Sequence, residues 1–130
     1  MIIFGHRFIS SEPFYHVSDI ESINNTPTAS TIYIEFDENN LDIIKHTREN
    51  NVVFALDAKD ITQTIYASSL GASYIIVEKE LAKTAQNIAN EYLFDAKILV
   101  KIKEEIEIEE MALLGVDGVI FVNAIIKTNS

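Results

Sequence analysis

The chain has 130 residues, with 20 Asp plus Glu against 10 Lys plus Arg, and 48% of its residues are hydrophobic. That length suits one domain with a real core, and that hydrophobic content excludes a disordered chain. The formal net charge of −10 excludes non-specific binding to nucleic acid or anionic membrane, and zero cysteines exclude disulfides, thiolate chemistry and sulfur-ligated zinc.

No apolar run approaches the roughly 20 residues that span a bilayer. The start, MIIFGHRF, lacks the basic flank and cleavage site of a signal peptide, so a soluble, cytoplasmic domain is expected.

In chain order, IIFGHRFI and PFYHV come first, separated by Ser10, Ser11 and Glu12 with Pro13 as a turn residue. They predict an N-terminal strand pair or hairpin. Asp19 to Ile23 predicts a turn or two of helix, and NNTPTAS (24–30) reads as a loop.

From Thr31 onward, short apolar runs alternate with helical patterns. The runs are TIYIEF (31–36), NVVFALD (51–57), ASYIIVE (72–78), AKILVKIK (96–103) and DGVIFV (117–122). Rich in Ile, Val, Tyr and Phe, they read as strands covered on both faces. Between them, Leu41 to Asn50 predicts a short helix, and Asp60 N-caps a second that Gly71 ends. Leu81, Ala85, Ile88, Ala89 and Tyr92 repeat at helical spacing, and the segment from Glu104 to Leu114 stops at Gly115. SSLGASYIIVE (68–78) resembles ALLGVDGVIFV (112–122), a weak internal repeat at twice the spacing of neighbouring strands.

The expected fold is therefore α/β: one domain of βα repeats with a five- or six-stranded, mainly parallel sheet. The N-terminal strands and loop occupy residues 1–30, the repeats 31–122 and a polar tail 123–130. A half-barrel and an open, flavodoxin-like sheet satisfy the pattern equally.

The chain has no GxGxxG, P-loop, GxSxG or HExxH motif, and only four glycines from which to build a phosphate cradle. His6, His16 and His46 lack metal-ligand spacing, even with Glu12 nearby, so no metal and no cofactor are expected. The informative residues stand where strands end, since parallel sheets bind ligands beyond their carboxyl ends. Those ends supply Glu35 and Asp37, Asp57 and Lys59, Glu78 and Lys79, Lys101 and Lys103, and Asn123. Lys101 is the odd one, because it interrupts an apolar strand. With Asp57 or Glu78 in reach it suits a proton shuttle, an anion contact, an imine-forming amine or a structural ion pair.

The stretch from residue 52 to 127 resembles indole-3-glycerol-phosphate synthase. The shared features are a D-x-x-Q helix (Asp60, Gln63), a G-A strand entry (Gly71, Ala72), L-V (Leu99, Val100), an acidic run, L-G (Leu114, Gly115) and a strand-end Asn (Asn123). The resemblance implies part of a phosphate-binding (β/α)8 barrel. It does not carry over the activity. The family's early lysine falls near Ala55, its catalytic glutamate at Lys101 and the following histidine at Lys103, while Lys79 stands where a further family lysine would.

The expectation is a small-molecule- or partner-binding module that self-associates, without catalysis. Its partners are a small anionic metabolite and a second copy of the chain, with Lys79, Lys103, Glu35 and Asn123 as ligand contacts. The alternative is a small lyase- or isomerase-type enzyme acting on an anionic or phosphorylated metabolite. Lys101 would then react, Asp57 or Glu78 would orient it, and Lys79 or Lys103 would hold the anion.

Overall fold

The apolar runs become short parallel strands because each can bury both of its faces. The computed structural model describes residues 1–128. They form eight strands: β1 (Ile2–Phe4), β2 (Phe14–His16), β3 (Thr31–Glu35), β4 (Phe54–Asp57), β5 (Tyr74–Val77), β6 (Lys97–Ile102), β7 (Gly118–Phe121) and β8 (Ile125–Lys127). The α-helices are α1 (Ile20–Ile23), α2 (Leu41–Glu49), α3 (Ile61–Ser69), α4 (Lys79–Glu91) and α5 (Glu107–Leu114). Asp19 caps α1 and Asp60 caps α3 by accepting from Ser22 N–H and Gln63 N–H. Gly115, at φ 77°, ends α5 in the left-handed conformation that glycine adopts without steric cost.

The sheet runs β1-β7-β6-β5-β4-β3-β2-β8, and every pair is parallel. The α/β, parallel-sheet expectation holds, with eight strands rather than five or six. The sequential run from β2 to β7 is that of a half-barrel and not the interleaved order of a flavodoxin-like sheet. The expected N-terminal strand pair is also corrected. β1 pairs with β7, Ile2 facing Gly118, whereas β2 lies between β3 and β8. Residues 125–127, placed in the tail by composition, form the strand that seats on β2. The last two residues of that tail lie outside the described residues.

Alternation along the strands divides two cores. The outer one joins Ile34, Leu56, Ile75, Val77, Ile98 and Val100 to Ile44 of α2, Ala67 of α3, Ala82, Ala85 and Ala89 of α4, and Met111 of α5. The alanine stripe thus serves close helix-on-sheet packing. The inner core takes Phe14, Tyr33, Ala55, Ile76, Leu99 and Ile120 from successive strands, with Phe4 and Tyr74 packed against them.

Phe4 lies at one end of the sheet and Phe14 next to the other, yet their ring centroids are 4.8 Å apart. Tyr74 of the middle strand β5 stands 5.6 Å from Phe4 and 5.3 Å from Phe14. The sheet therefore curls until its ends share one apolar plug.

Gly118 lies on β7 between Ile2 of β1 and Leu99 of β6, where the backbones leave no room for a side chain. A Cβ there would fall 2.5 Å from the Ile2 carbonyl oxygen and 2.9 Å from Leu99 Cδ2. Gly118→Ala is expected to destabilise by about 1–3 kcal/mol through overpacking. Gly115→Ala meets nothing within 4 Å, so its cost is confined to the strain of a side chain at φ 77°, about 1 kcal/mol.

Candidate functional site

The alternation that points Phe14, Tyr33, Ala55, Ile76 and Leu99 into the plug carries His16, Glu35, Asp57, Glu78 and Lys101 to the layer above it. A polar rim at the carboxyl ends follows.

At its centre Lys101 Nζ donates to Asp57 Oδ2 at 2.7 Å and to Tyr33 Oη at 3.3 Å. Tyr33 also donates its hydroxyl to Asp57, Lys59 Nζ donates to Asp57 Oδ1 at 3.1 Å, and Glu78 lies 3.7 Å from the Lys101 ammonium. Asp57 is only 1% exposed and Lys101 19%, so this is a charge pair at the boundary of the core. Burial by itself would raise the Asp57 carboxyl. The hydrogen bonds from Lys101 and Tyr33, with the charges of Lys101 and Lys59, outweigh burial and hold it below its ordinary value. Burial, reinforced by Asp57, pushes the Tyr33 phenol far up, so it remains a neutral donor.

His16 packs its ring edge-on against Tyr33, centroids 4.8 Å apart, and burial lowers its basicity although Glu35 works the other way. Phe8 N–H donates to His6 Nδ1 at 3.1 Å, so the ring proton sits on Nε2 and is donated to Glu105. Among the described residues no group of three His, Asp or Glu side chains is placed to hold a metal ion.

Beside the cluster opens a cleft of about 300 Å³ whose charged lining is Lys79, Lys101 and Lys103 with Glu78, Glu80 and Glu107, and whose apolar lining is Ile102 and Val122. Of the residues singled out in the sequence, Lys101, Asp57 and Glu78 are brought together, and Lys79 and Lys103 border the same cleft. Glu35 stands exposed at the end of β3, in register with Asp57 but outside the cleft. Asn123 also lies outside it and reaches towards the Gly5 carbonyl at 3.5 Å.

Lys103 makes no ion pair among the described residues, whereas Lys79 is bound to Glu107 at 3.0 Å. A larger cleft of about 420 Å³ opens at the opposite ends of the strands, around Ile23, Pro27, Ala29 and Val52. Its lining has no charged side chain with which to orient a polar ligand.

Glu107 and Tyr33 escaped the sequence reading. Glu107 accepts from the Lys103 and Glu104 backbone N–H groups at 2.8 and 2.7 Å, closing the turn before α5. Those bonds, then Lys79, bring its carboxyl down to about 2. A depressed folded value means that stability is fully present above the ordinary 4.5 and is lost as pH falls towards 2. Glu107→Gln is therefore expected to lower Tm at neutral pH and to flatten its decline through that acid window, as followed by circular dichroism. The signal was the position of Glu107, three residues beyond Glu104 and at the start of a helix.

The fold is thus that of an α/β protein with a parallel half-barrel sheet, and a charged mouth lies at its carboxyl rim. Neither a family model nor a curated protein sequence matches the chain. No described helix is long and apolar enough to cross a membrane.

Proposed function

We propose that the chain is a binding module for a small anionic metabolite, seated in the cleft between Lys79, Lys101 and Lys103. The observation that carries this reading is that three ammonium groups line one concave site together with the carboxylates of Glu78, Glu80 and Glu107, which leave one lysine of the three unpaired among the described residues. Lys103 is the one whose charge no carboxylate answers among the described residues. A phosphate or carboxylate is the ligand group this lysine set suits. Asp57 already receives three side-chain donors, which favours binding over turnover.

Thermal melting in inorganic phosphate tests the reading. A ligand at 100 times its Kd adds about 2.7 kcal/mol. The rise in Tm should saturate, and it should shrink in Lys103→Ala, whereas a general salting effect would leave both chains equal. Equal shifts, or none, overturn the reading.

One observation favours the enzymatic alternative: Lys101 is held by both Asp57 and Tyr33 at the edge of the cleft. Self-association belongs to the same proposal, through the free sheet ends at β1 and β8. Its support is Ile126, 42% exposed on β8. Light scattering should return a dimer that Ile126→Asp dissociates.

A further inference from the structure

The ion pair at the mouth places an amine against a cleft while Asp57 and Tyr33 hold it at the boundary of the core. Lys101 extends from β6 on the inward face, directly above Leu99 of the plug, and Asp57 and Tyr33 fix its Nζ from below. Its remaining side opens on the lysine-lined cleft. Lys103 follows just beyond the end of β6 and borders the same cleft. A cleft of about 300 Å³ bordered by both lysines suits a short compound that carries both a phosphate and a carbonyl.

We propose that Lys101 captures the carbonyl carbon of a short phosphorylated aldehyde as a reversible iminium, while Lys103 and Lys79 hold the phosphate. This rests on the anion-binding reading of the cleft and adds a covalent step to it.

The step is balanced and needs no oxidant or reductant. One ammonium proton is lost to solvent at the open side of the cleft, the freed lone pair attacks the carbonyl carbon, and a C–N bond forms. The protons go to the former carbonyl oxygen, its C–O bond breaks and water leaves. Nitrogen begins as an ammonium and ends as an iminium, each with one positive charge. The partner charge of Asp57, 1% exposed, is therefore answered before and after the reaction. Acylation of the same amine would neutralise it and leave that carboxylate with only the more exposed Lys59 as its cation. Tyr33 acts as a positioning residue, because it donates to Asp57 and accepts from Lys101.

The test is to incubate the whole chain with glycolaldehyde phosphate, reduce with cyanoborohydride and map the adducts by peptide mass spectrometry. Lys101 should be labelled about tenfold faster than any of the seven other lysines, as positioning requires. Inorganic phosphate should slow that labelling. Lys103→Ala should slow it for glycolaldehyde phosphate and leave it unchanged for glycolaldehyde, which has no anion to hold. Lys101→Arg keeps the charge and should abolish the adduct; since mapping on the unaltered chain locates it directly, the test does not depend on how that variant folds.

Labelling spread over the exposed lysines, with Lys101 no faster than the rest, overturns the inference. If phosphate still raises Tm through Lys103 in that case, the covalent step alone has failed. If phosphate has no site effect either, the binding reading has failed with it.

Discussion

Replacing Asp57 with alanine is expected to destabilise the chain by about 3 kcal/mol, because it leaves the Lys101 ammonium at the core boundary without its carboxylate. The figure belongs at the lower end for broken buried pairs, since Lys101 keeps 19% exposure and Glu78 lies 3.7 Å away. Tyr33 loses its acceptor in the same step. Adding Lys101→Met should recover much of the loss, because an apolar side chain of similar length leaves no orphaned charge.

A double-mutant cycle in urea measures that coupling, and additive losses would show that the pair is not what holds these strands. The pH dependence has a definite sign. The lowered Asp57 carboxyl contributes stability above its ordinary value near 3.8, and that contribution is lost on acidification through its folded value. Asp57→Ala should therefore lie nearer the parent chain in acid than at neutral pH.

The second large effect is expected at Phe14. Phe14→Ala removes a ring that is 2% exposed and stands between Phe4 and Tyr74, and it should cost about 3–5 kcal/mol. The loss should come with increased amide exchange in β1 and β8, which lie at the two ends of the sheet. A loss of the same size without that local effect would mean that the ends do not depend on the shared plug.

The middle of the molecule was legible in the sequence because its signals are local. β3 to β7 are runs of Ile, Val, Phe and Tyr bounded by caps such as Asp60 and Gly115, and parallel pairing of consecutive units follows from short right-handed crossovers. The meeting of Lys101 with Asp57 and Glu78 was legible for the same reason: strand ends of a parallel sheet share one rim.

The first and last strands were not legible. β1, β2 and β8 have three residues each, too few for a periodic pattern. Their partners lie far along the chain, Ile2 facing Gly118 and Phe14 facing Ile125. Tyr33 read simply as a strand residue. Its hydroxyl reaches Asp57 and Lys101 because of the curl of the sheet, which no single run encodes. Glu35 and Asn123 shared the rim by position, but the cleft forms on the side of β5 and β6.

The register of β8 on β2 also bears on how the molecule is made. As the nascent chain leaves the ribosome, β3 to β6 meet neighbours already synthesised, so their units fold in order of emergence. β1 emerges first yet waits for β7, and one side of β2 stays bare until residues 125–127 arrive. During that interval Phe4 and Phe14 are exposed to solvent or to a chaperone. Pairings that span so much of the sequence slow folding through loop-closure entropy. Seating β1 on β7 and β8 on β2 is then expected to be the slowest stage of folding, and the time at which the chain is most open to proteolysis or aggregation.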